Sequence, residues 1–393
     1  MRNTNKKGFT IVELVIVVAV IAILAAVLIP TFSSIIKKAN IASDTAVAKN
    51  LNTAAISAGA KDFDSAIEAV KDAGYLLANL NAKADGCYFV WDNVNNQFLL
   101  VDTKNDYKVI YSNTDASEKS NWYVAVSDPT KFAEIESAGL KVEKMITDVA
   151  GLKAALTTGG EFHIDESLVI EEQIKYTGTT PLVLNLNGSN LATSEKLNNA
   201  PVMVDGSVKI INAIITAAGS DESEYGRFNV SIGYTGRAEL EIDNVTFSCQ
   251  TGINGTFMSD GFVNMIVKNS TFDVTNSGVI LSTGEGTGST ATVENCTINA
   301  GEYAIFASQG GTITVNGGSY KGGTAVISTM YAGTKVIVNG GTFEGALSVT
   351  NNGTLVINGG TFKNTGLELN TFKTYLAEGK TVTENADGSW TVK

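Results

Sequence analysis

The segments VIVNGGTF (336–343) and LVINGGTF (355–362) belong to an internal repeat that decides the fold of the larger part of this chain. Four further copies precede them, with successive copies ending 19 to 26 residues apart: LEIDNVTF (240–247), MIVKNSTF (265–272), ATVENCTI (291–298) and ITVNGGSY (313–320). The third residue is β-branched in every copy, the last is Phe, Tyr or Ile, and the penultimate is Thr or Ser. Apolar columns at such a period are typical of a solenoid.

A right-handed parallel β-helix fits this pattern best, because the Leu-x-x-Leu-x-Leu frame of leucine-rich repeats is absent. Each turn bends at Asn or Gly and stacks about 4.8 Å above the previous one. Weaker copies at 182–191 and 208–216 bring the expected number to eight or nine rungs, with a loop insertion at 219–227. We expect an amphipathic helix at 146–160 to cap the first rung, because a solenoid ends in an open sheet edge. Residues 375–393 resemble the closing segment of many bacterial surface β-helix proteins.

The three cysteines are predicted to be thiols rather than parts of a disulfide or a metal site. Cys296 falls in an inward column of the repeat, and Cys249 lies two rungs away, about 10 Å off, too far for a disulfide. Cys87 and the single histidine, His163, form no cluster with metal-ligand spacing in the sequence. We therefore expect no metal, no cofactor and no thiol–histidine nucleophile.

Upstream of the repeat, residues 61–145 predict a small α+β head. Residues 61–80 have helical periodicity and end near Gly74, and residues 87–102 alternate as a hairpin about Asn93–Asn96. Strands are expected at 107–111 and 122–126. The aromatic residues of this region favour a packed core over a binding surface; they are Tyr88, Phe89, Trp91, Trp122 and Tyr123.

The N-terminal segment FTIVELVIVVAVIAILAAVLI (9–29) is long enough to cross a bilayer as a helix. Arg2, Lys6 and Lys7 precede it and place the N-terminus in the cytoplasm and the rest of the chain outside. A secretory signal peptide or a plain anchor would not explain Glu13, since a carboxylate in the apolar span costs about 2.5–3.5 kcal/mol unless it has a partner. We expect one helix from Phe9 to about Ser57, kinked or locally loosened at Pro30.

Lys7-Gly8 followed by Phe9-Thr10-Ile11-Val12-Glu13-Leu14 resembles the prepilin motif of type IV pilins and pseudopilins. The resemblance covers about the first 60 residues. It implies cleavage after Gly8 by a membrane-embedded prepilin peptidase and N-methylation of Phe9. It also makes Glu13 the fifth residue of the mature chain. In a filament, the Glu13 carboxylate of one subunit would neutralise the Phe9 ammonium of a neighbour, as an ion pair that offsets their desolvation.

The net charge of −12 argues against a nucleic-acid partner, because phosphates require clustered Lys and Arg. An enzyme acting on polysaccharides is a second interpretation, since parallel β-helices often carry such sites. The repeat places its acids singly, at Glu241, Asp243 and Glu294, and only Arg227 and Arg237 supply guanidinium groups. A glycan-binding or host-binding adhesin is a third interpretation and overlaps with the first.

The sequence thus predicts four segments and a structural role. The segments are a basic leader (1–8), a transmembrane and assembly helix (9–60), a small α+β head (61–145) and a parallel β-helix with a cap at each end (146–393). We expect a non-enzymatic pilin-like subunit of the cell membrane, with a single span and an extracellular C-terminal domain. Its expected partners are the prepilin peptidase, other pilin subunits and, for the β-helix, a glycan or host surface.

Overall fold

The computed structural model describes residues 10–75, 80–194, 202–217, 228–232, 237–256, 262–282 and 288–393. The loop insertion predicted at 219–227 lies outside these residues. Contacts within the chain separate it into a first unit, residues up to 126 with 130–142, and a second unit, 127–129 with 143–393.

The first unit consists of a long helix, two shorter helices and a small antiparallel sheet. Its helices are α1 (Ile11–Ala58), α2 (Phe63–Asp72) and α3 (Pro129–Ser137). Its strands are β1 (Cys87–Asp92), β2 (Gln97–Asp102), β3 (Lys108–Tyr111) and β4 (Trp122–Val126), in the spatial order β3-β2-β1-β4. The long helix, the second helix and the hairpin at 93–96 confirm the sequence-based expectations. The helix α3 was not foreseen.

The interior of the first unit is built from both faces of the hairpin β1–β2, whose consecutive residues are buried, and from the inner side of the helices. Trp91, Val90 and Leu99 are fully buried, and Trp122 is 4 % exposed. The rings of Trp91 and Phe98 meet edge to face at 5.0 Å. The aromatic residues of the hairpin therefore pack in the core, as the sequence favours, rather than line a surface.

The second unit is a parallel β-solenoid. Its strands are β5 (Lys141–Ile146), which begins in the first unit, then β6 (Gly160–Ile164), β7 (Leu168–Ile170), β8 (Ile174–Tyr176), β9 (Leu182–Asn185), β10 (Asn190–Thr193), β11 (Val202–Val204), β12 (Ser207–Ala217), β13 (Phe228–Ile232), β14 (Arg237–Cys249), β15 (Thr251–Thr256), β16 (Phe262–Lys268), β17 (Thr271–Val274), β18 (Ser277–Ser282), β19 (Thr290–Glu294), β20 (Thr297–Ala300), β21 (Tyr303–Ser308), β22 (Thr312–Gly322), β23 (Ala325–Met330), β24 (Lys335–Glu344), β25 (Leu347–Thr350), β26 (Thr354–Ile357), β27 (Gly360–Lys363), β28 (Val382–Glu384) and β29 (Trp390–Val392).

These strands stack into three faces. Face 1 contains β6, β9, β16, β19, β26 and the first halves of β12, β14, β22 and β24; face 2 contains β7, β10, β17, β20, β27 and the second halves of the same long strands. Face 3 is the eight-stranded sheet β8-β11-β13-β15-β18-β21-β23-β25 among the described residues. The pairing within each face is parallel, so the predicted parallel β-helix is confirmed.

The repeat register predicted from the sequence is the register of the strands. Phe247 pairs with Phe272, Phe272 with Ile298, Ile298 with Tyr320, Tyr320 with Phe343 and Phe343 with Phe362. All six side chains are at most 2 % exposed, and the rings of Tyr320, Phe343 and Phe362 stack at 4.9 and 4.8 Å. One apolar column therefore runs through the solenoid.

Asparagine and glycine make the bend between face 1 and face 2. Asn244, Asn269 and Asn295 have φ between 50° and 55°, and Gly317 has φ 76°, a left-handed conformation that these residue types tolerate. The side chains also form ladders across rungs: Asn358 Nδ2 donates to Asn339 Oδ1 at 2.7 Å, and Asn339 Nδ2 donates to the Asn316 side chain at 2.8 Å. Each bend is thereby tied to the next.

Both ends of the solenoid are covered. Helix α4 (Val149–Thr158) packs on β7 and β8 at the first rung. At the other end, helix α5 (Leu369–Lys373) inserts Phe372, whose ring lies 5.3 Å from Phe362 and 4.8 Å from Trp390. Strand β29 pairs antiparallel with β27, so it ends the parallel stack.

Candidate assembly site

Helix α1 begins with a reciprocal capping box. Thr10 is the N-cap, and its Oγ1 accepts a hydrogen bond from the backbone N–H of Glu13 at 3.2 Å. Glu13 Oε2 in turn accepts hydrogen bonds from the Thr10 backbone N–H and from the Thr10 hydroxyl, both at 2.8 Å. The box satisfies two backbone donors that the first helical turn would otherwise leave without a partner.

The Glu13 carboxylate therefore has a partner within its own chain. The partner expected from the sequence was only the Phe9 ammonium of a neighbouring subunit, and Thr10 was not foreseen. The signal was present, because Thr10-x-x-Glu13 has the spacing of a capping box. Gly8 and Phe9, the residues on either side of the expected cleavage point, lie outside the described residues.

The first half of α1 is apolar on all sides and exposed. None of its most apolar stretch is buried within the chain, and α1 is long and apolar enough to cross a membrane. Ile11, Val15 and Ile29 are 82, 60 and 67 % exposed. A helix that is apolar all round requires lipid or other apolar helices around it. Pro30 lies inside this helix, which continues to Ala58.

The second half of α1 docks on its own unit. Its buried residues recur at helical spacing: Asp44, Ala48, Leu51, Asn52 and Ala55. Asn52 clamps the helix to β2, because its Oδ1 accepts from the Phe98 N–H at 2.7 Å and its Nδ2 donates to the Phe98 carbonyl at 2.8 Å. The Asp44 carboxylate accepts from the backbone N–H groups of Lys83 and Ala84 at 2.9 and 2.8 Å.

Two of the outward acids of face 1, Glu241 and Asp243, are paired, which corrects the expectation that they stand singly. Glu241 Oε1 lies 2.7 Å from Lys268 Nζ and 3.3 Å from Lys209 Nζ, on the two neighbouring strands. Asp243 Oδ2 lies 3.5 Å from Lys268 Nζ. The attraction of both lysines, led by the hydrogen bond from Lys268, lowers the pKa of Glu241. These acids are neutralised across rungs rather than poised for proton transfer.

His163 is paired with a carboxylate, and the three cysteines are free thiols. His163 Nε2 lies 3.0 Å from Glu143 Oε2, so the histidine is paired with a carboxylate. The cysteines are free, with Cys87 and Cys296 buried and Cys249 partly exposed. Burial raises the pKa of Cys296 to about 11 and that of Cys249 to about 12, so both remain protonated at neutral pH. In the described ranges, no group of three or more His, Cys, Asp or Glu side chains could hold a metal ion.

Comparison with known proteins gives two matches, each to a part of the chain. Residues 3–29 match the family described as the prokaryotic N-terminal methylation motif. A segment of 43 residues is 60 % identical to the type IV wide pilus major component PilA4 of Thermus thermophilus. This segment is 11 % of the present chain and 30 % of the length of that relative. No solved structure matches the chain.

The geometry of α1 and the match to the methylation motif both indicate a pilin-type N-terminal segment. A capped apolar helix starts immediately after the expected cleavage point, within the residues that match the methylation motif, and the relative is a type IV pilus component. The chain therefore carries the prepilin methylation motif and a pilin-type N-terminal helix, joined to a β-solenoid domain.

Proposed function

We propose that this chain is a type IV pilin-like subunit that assembles through its N-terminal helix and presents its β-helix outside the cell. The observation that carries the proposal is the bare apolar half of α1, which begins at the Thr10–Glu13 capping box. A helix of this kind is stable in a bilayer and, after extraction from it, in a bundle of similar helices. The second half of α1 packs within the first compact unit, and the β-solenoid forms the second.

Processing supplies the charge that makes assembly specific. Cleavage between Gly8 and Phe9 by a prepilin peptidase frees an α-amino group one residue before the N-cap, and N-methylation of Phe9 keeps it basic. A positive charge is unfavourable at a helix N-terminus, where the backbone already carries partial positive charge. A carboxylate must therefore neutralise it. We infer that Glu13 of an adjoining subunit does so, while the Thr10 hydrogen bonds hold that carboxylate in place.

The orientation of the chain in the membrane follows from the same role. Arg2, Lys6 and Lys7 hold the leader on the cytoplasmic side, and α1 spans the membrane once. The first unit and the β-helix then lie outside the cell. A structural, non-enzymatic role is supported by the lysine partners of Glu241 and Asp243 on face 1 and by the similarity of a 43-residue segment to a pilus component.

Two substitutions at Glu13 separate pairing from capping. Glu13→Gln keeps a side-chain oxygen that can accept from Thr10, since Gln also serves in capping boxes, but it removes the charge. Glu13→Leu removes both. Breaking a buried ion pair typically costs about 3–5 kcal/mol, and the loss recurs at every subunit contact. We expect both variants to remain in the membrane fraction, processed to N-methylated Phe9 by mass spectrometry, and to be depleted from sheared filaments.

The matched control is Glu68→Gln, which neutralises an exposed acid on α2 and should leave filament content unchanged. If sheared filaments contain Glu13→Gln at the wild-type level, Glu13 serves only to cap the helix and forms no ion pair between subunits. A mature N-terminus beyond Pro30 would contradict the pilin-like role itself, since it would identify an ordinary secretory signal.

A further inference from the structure

The penultimate residue of every repeat forms a row of hydroxyl groups along the outside of face 2. The row consists of Thr246, Thr271, Thr297, Ser319, Thr342 and Thr361. Strand register places each next to the one before, so the hydroxyls are about 4.7–4.9 Å apart along the solenoid axis. The first five are exposed and Thr361 is partly exposed, whereas the Phe, Tyr or Ile that follows each of them is buried.

Strand formation alone does not explain the uniform hydroxyl row. The next outward position, two residues further along each strand, varies freely: Ser248, Asp273, Asn299, Lys321, Glu344 and Lys363. Solvent-facing positions of these strands thus accept acids, bases and amides. The uniform choice of Thr or Ser at one of them indicates a requirement for the hydroxyl group.

A groove lies over the last four hydroxyls of this row. Its volume is about 440 Å³, and its lining includes Thr297, Ser319, Thr342 and Thr361. That volume falls in the range of about 300–1,000 Å³ typical of ligand sites. The turn before β29, which carries Asp387 and Ser389, forms part of the lining and belongs to the segment that ends the solenoid.

Three of the four hydroxyls in the groove retain hydrogen-bonding capacity, whereas the Thr361 hydroxyl lies 3.2 Å from the hydroxyl of Thr391. In the described part of the chain, the hydroxyls of Thr297 and Ser319 have no protein partner, and the Thr342 hydroxyl has only a long contact of 3.5 Å to the Gly318 carbonyl. Lys321 lies 3.8 Å from Glu344, and Lys363 lies 3.6 Å from Asp387. These distances exceed those of strong charge-assisted hydrogen bonds, so each pair can also bind a ligand.

The charge and shape of the groove exclude several ligand classes. Its two lysines are balanced by two acids, which does not suit a nucleic acid or another polyanion. The exposed side chains of the lining belong to Thr, Ser, Asn, Lys, Glu and Asp, whereas its Ile, Tyr and Phe side chains are buried, so the groove does not suit a lipid chain. Strand addition by a peptide needs a free sheet edge, whereas this groove lies on the face of paired strands.

We propose that this groove binds a neutral, unbranched oligosaccharide that lies along the solenoid axis. A sugar polymer carries hydroxyl donors and acceptors at a regular repeat, which is the complement of a regular row of Thr and Ser hydroxyls flanked by amide and charged groups. The inference rests on the proposed function, because the ligand would meet the β-helix outside the cell. The oligosaccharide would then be the binding partner of the β-helix.

The test measures binding of four hexasaccharides to the processed full-length chain in detergent by isothermal titration calorimetry. The probes are linear hexamers of β-1,4-linked glucose, N-acetylglucosamine, xylose and mannose. We expect at least one to bind wild type. Thr342→Val removes one hydroxyl and should weaken that binding roughly 2- to 10-fold, the value of one hydrogen bond. The double variant Ser319→Arg/Thr342→Arg fills the groove and should abolish binding.

The matched control is Thr292→Arg/Thr314→Arg, which adds the same charge at two paired positions on the outside of face 1 and should bind as wild type does. Thermal unfolding of each variant verifies that it is folded. The proposal is overturned if wild type binds none of the probes at millimolar concentration, or if groove and control variants lose binding equally. Filament content of the groove variant should equal wild type, so a failure of assembly shows separately through Glu13.

Discussion

Single residues in this protein carry polar contacts that the fold could not form without them. Asn52 is the clearest example, since it is 1 % exposed and bonds both the N–H and the carbonyl of Phe98. Without it, two buried backbone groups would lose their partner, at about 1–3 kcal/mol each. Thr10 acts similarly at the start of α1, where its hydroxyl and N–H both meet Glu13.

His163 provides a pH-dependent contact at the start of the solenoid. Burial disfavours its charged form, but the hydrogen bond and attraction of Glu143, with smaller contributions from Glu161 and Asp165, outweigh burial and hold the pKa of His163 above 6.5. Because the folded pKa is raised, the pair stabilises the protein fully below about pH 6.5, and this contribution is lost as pH rises through the folded pKa.

We therefore expect the stability difference between wild type and His163→Gln to be larger at about pH 5.5 than at about pH 8.5. Thermal unfolding followed by circular dichroism measures it. The control Lys153→Gln removes an exposed partner of Glu172 and should show little change between the two pH values. An equal wild-type-to-His163→Gln difference at both pH values would show that the pair is not charged in the folded state.

At the scale of the element, the solenoid depends on columns rather than on individual strands. The strands are short, and each gains its partner and its apolar neighbours from the rungs above and below. Gly318 shows how tightly the columns fit. It has φ 92°, and a Cβ there would collide with the backbone of Cys296 on the previous rung. Asn295-Cys296 of one repeat is replaced by Gly317-Gly318 in the next, and the close approach explains why glycine is used there.

Substitutions at neighbouring positions of β24 should have opposite consequences. Phe343 is 2 % exposed and stacks between Tyr320 and Phe362, whereas Thr342 faces solvent. Phe343→Asp removes a buried ring, which alone costs about 3–5 kcal/mol, and also buries an unpaired charge. Thr342→Asp should change stability by less than about 0.5 kcal/mol. Chemical unfolding of the full chain compares them, and similar midpoints for both variants would contradict the inward column.

At the scale of the whole molecule, the chain consists of two units with separate cores, and the first unit includes the exposed apolar half of α1. The second unit, from Glu143 onwards, contains the stacked columns and a cover at each end, α4 and the α5–β29 segment. Such a unit has no need of the apolar helix for its stability, because its sheet edges are already paired or covered.

Residues 143–393 expressed alone should therefore form a soluble monomer with a far-UV circular dichroism spectrum dominated by β structure. Ending the same fragment at residue 366 removes Phe372 and β29 and leaves the β27 edge open, so we expect it to aggregate. Size-exclusion chromatography distinguishes the two. Equal solubility and equal unfolding temperature of both fragments would mean that the C-terminal segment does not act as a cap.

The sequence alone determined the features that rest on local or strictly periodic signals. The apolar span and the prepilin motif are contiguous, so α1 and its similarity to pilins could be predicted without a fold. The repeat places an apolar residue at the same offset in every rung, so the parallel register and the buried Phe343 column followed from alignment. The cleavage at Gly8 and the roles of Phe9 and Glu13 remain predictions.

Only the tertiary structure decided the contacts between residues that are distant in sequence. Asn52 and Phe98, His163 and Glu143, and the set of Lys209, Glu241 and Lys268 come from segments whose alignment depends on how the chain returns on itself. The groove on face 2 is likewise a product of stacking, because a Thr or Ser in a single strand gives no sign of its neighbours. Hydrophobic periodicity specifies which side of a strand is buried, but polar side chains acquire partners only when the rungs are in place.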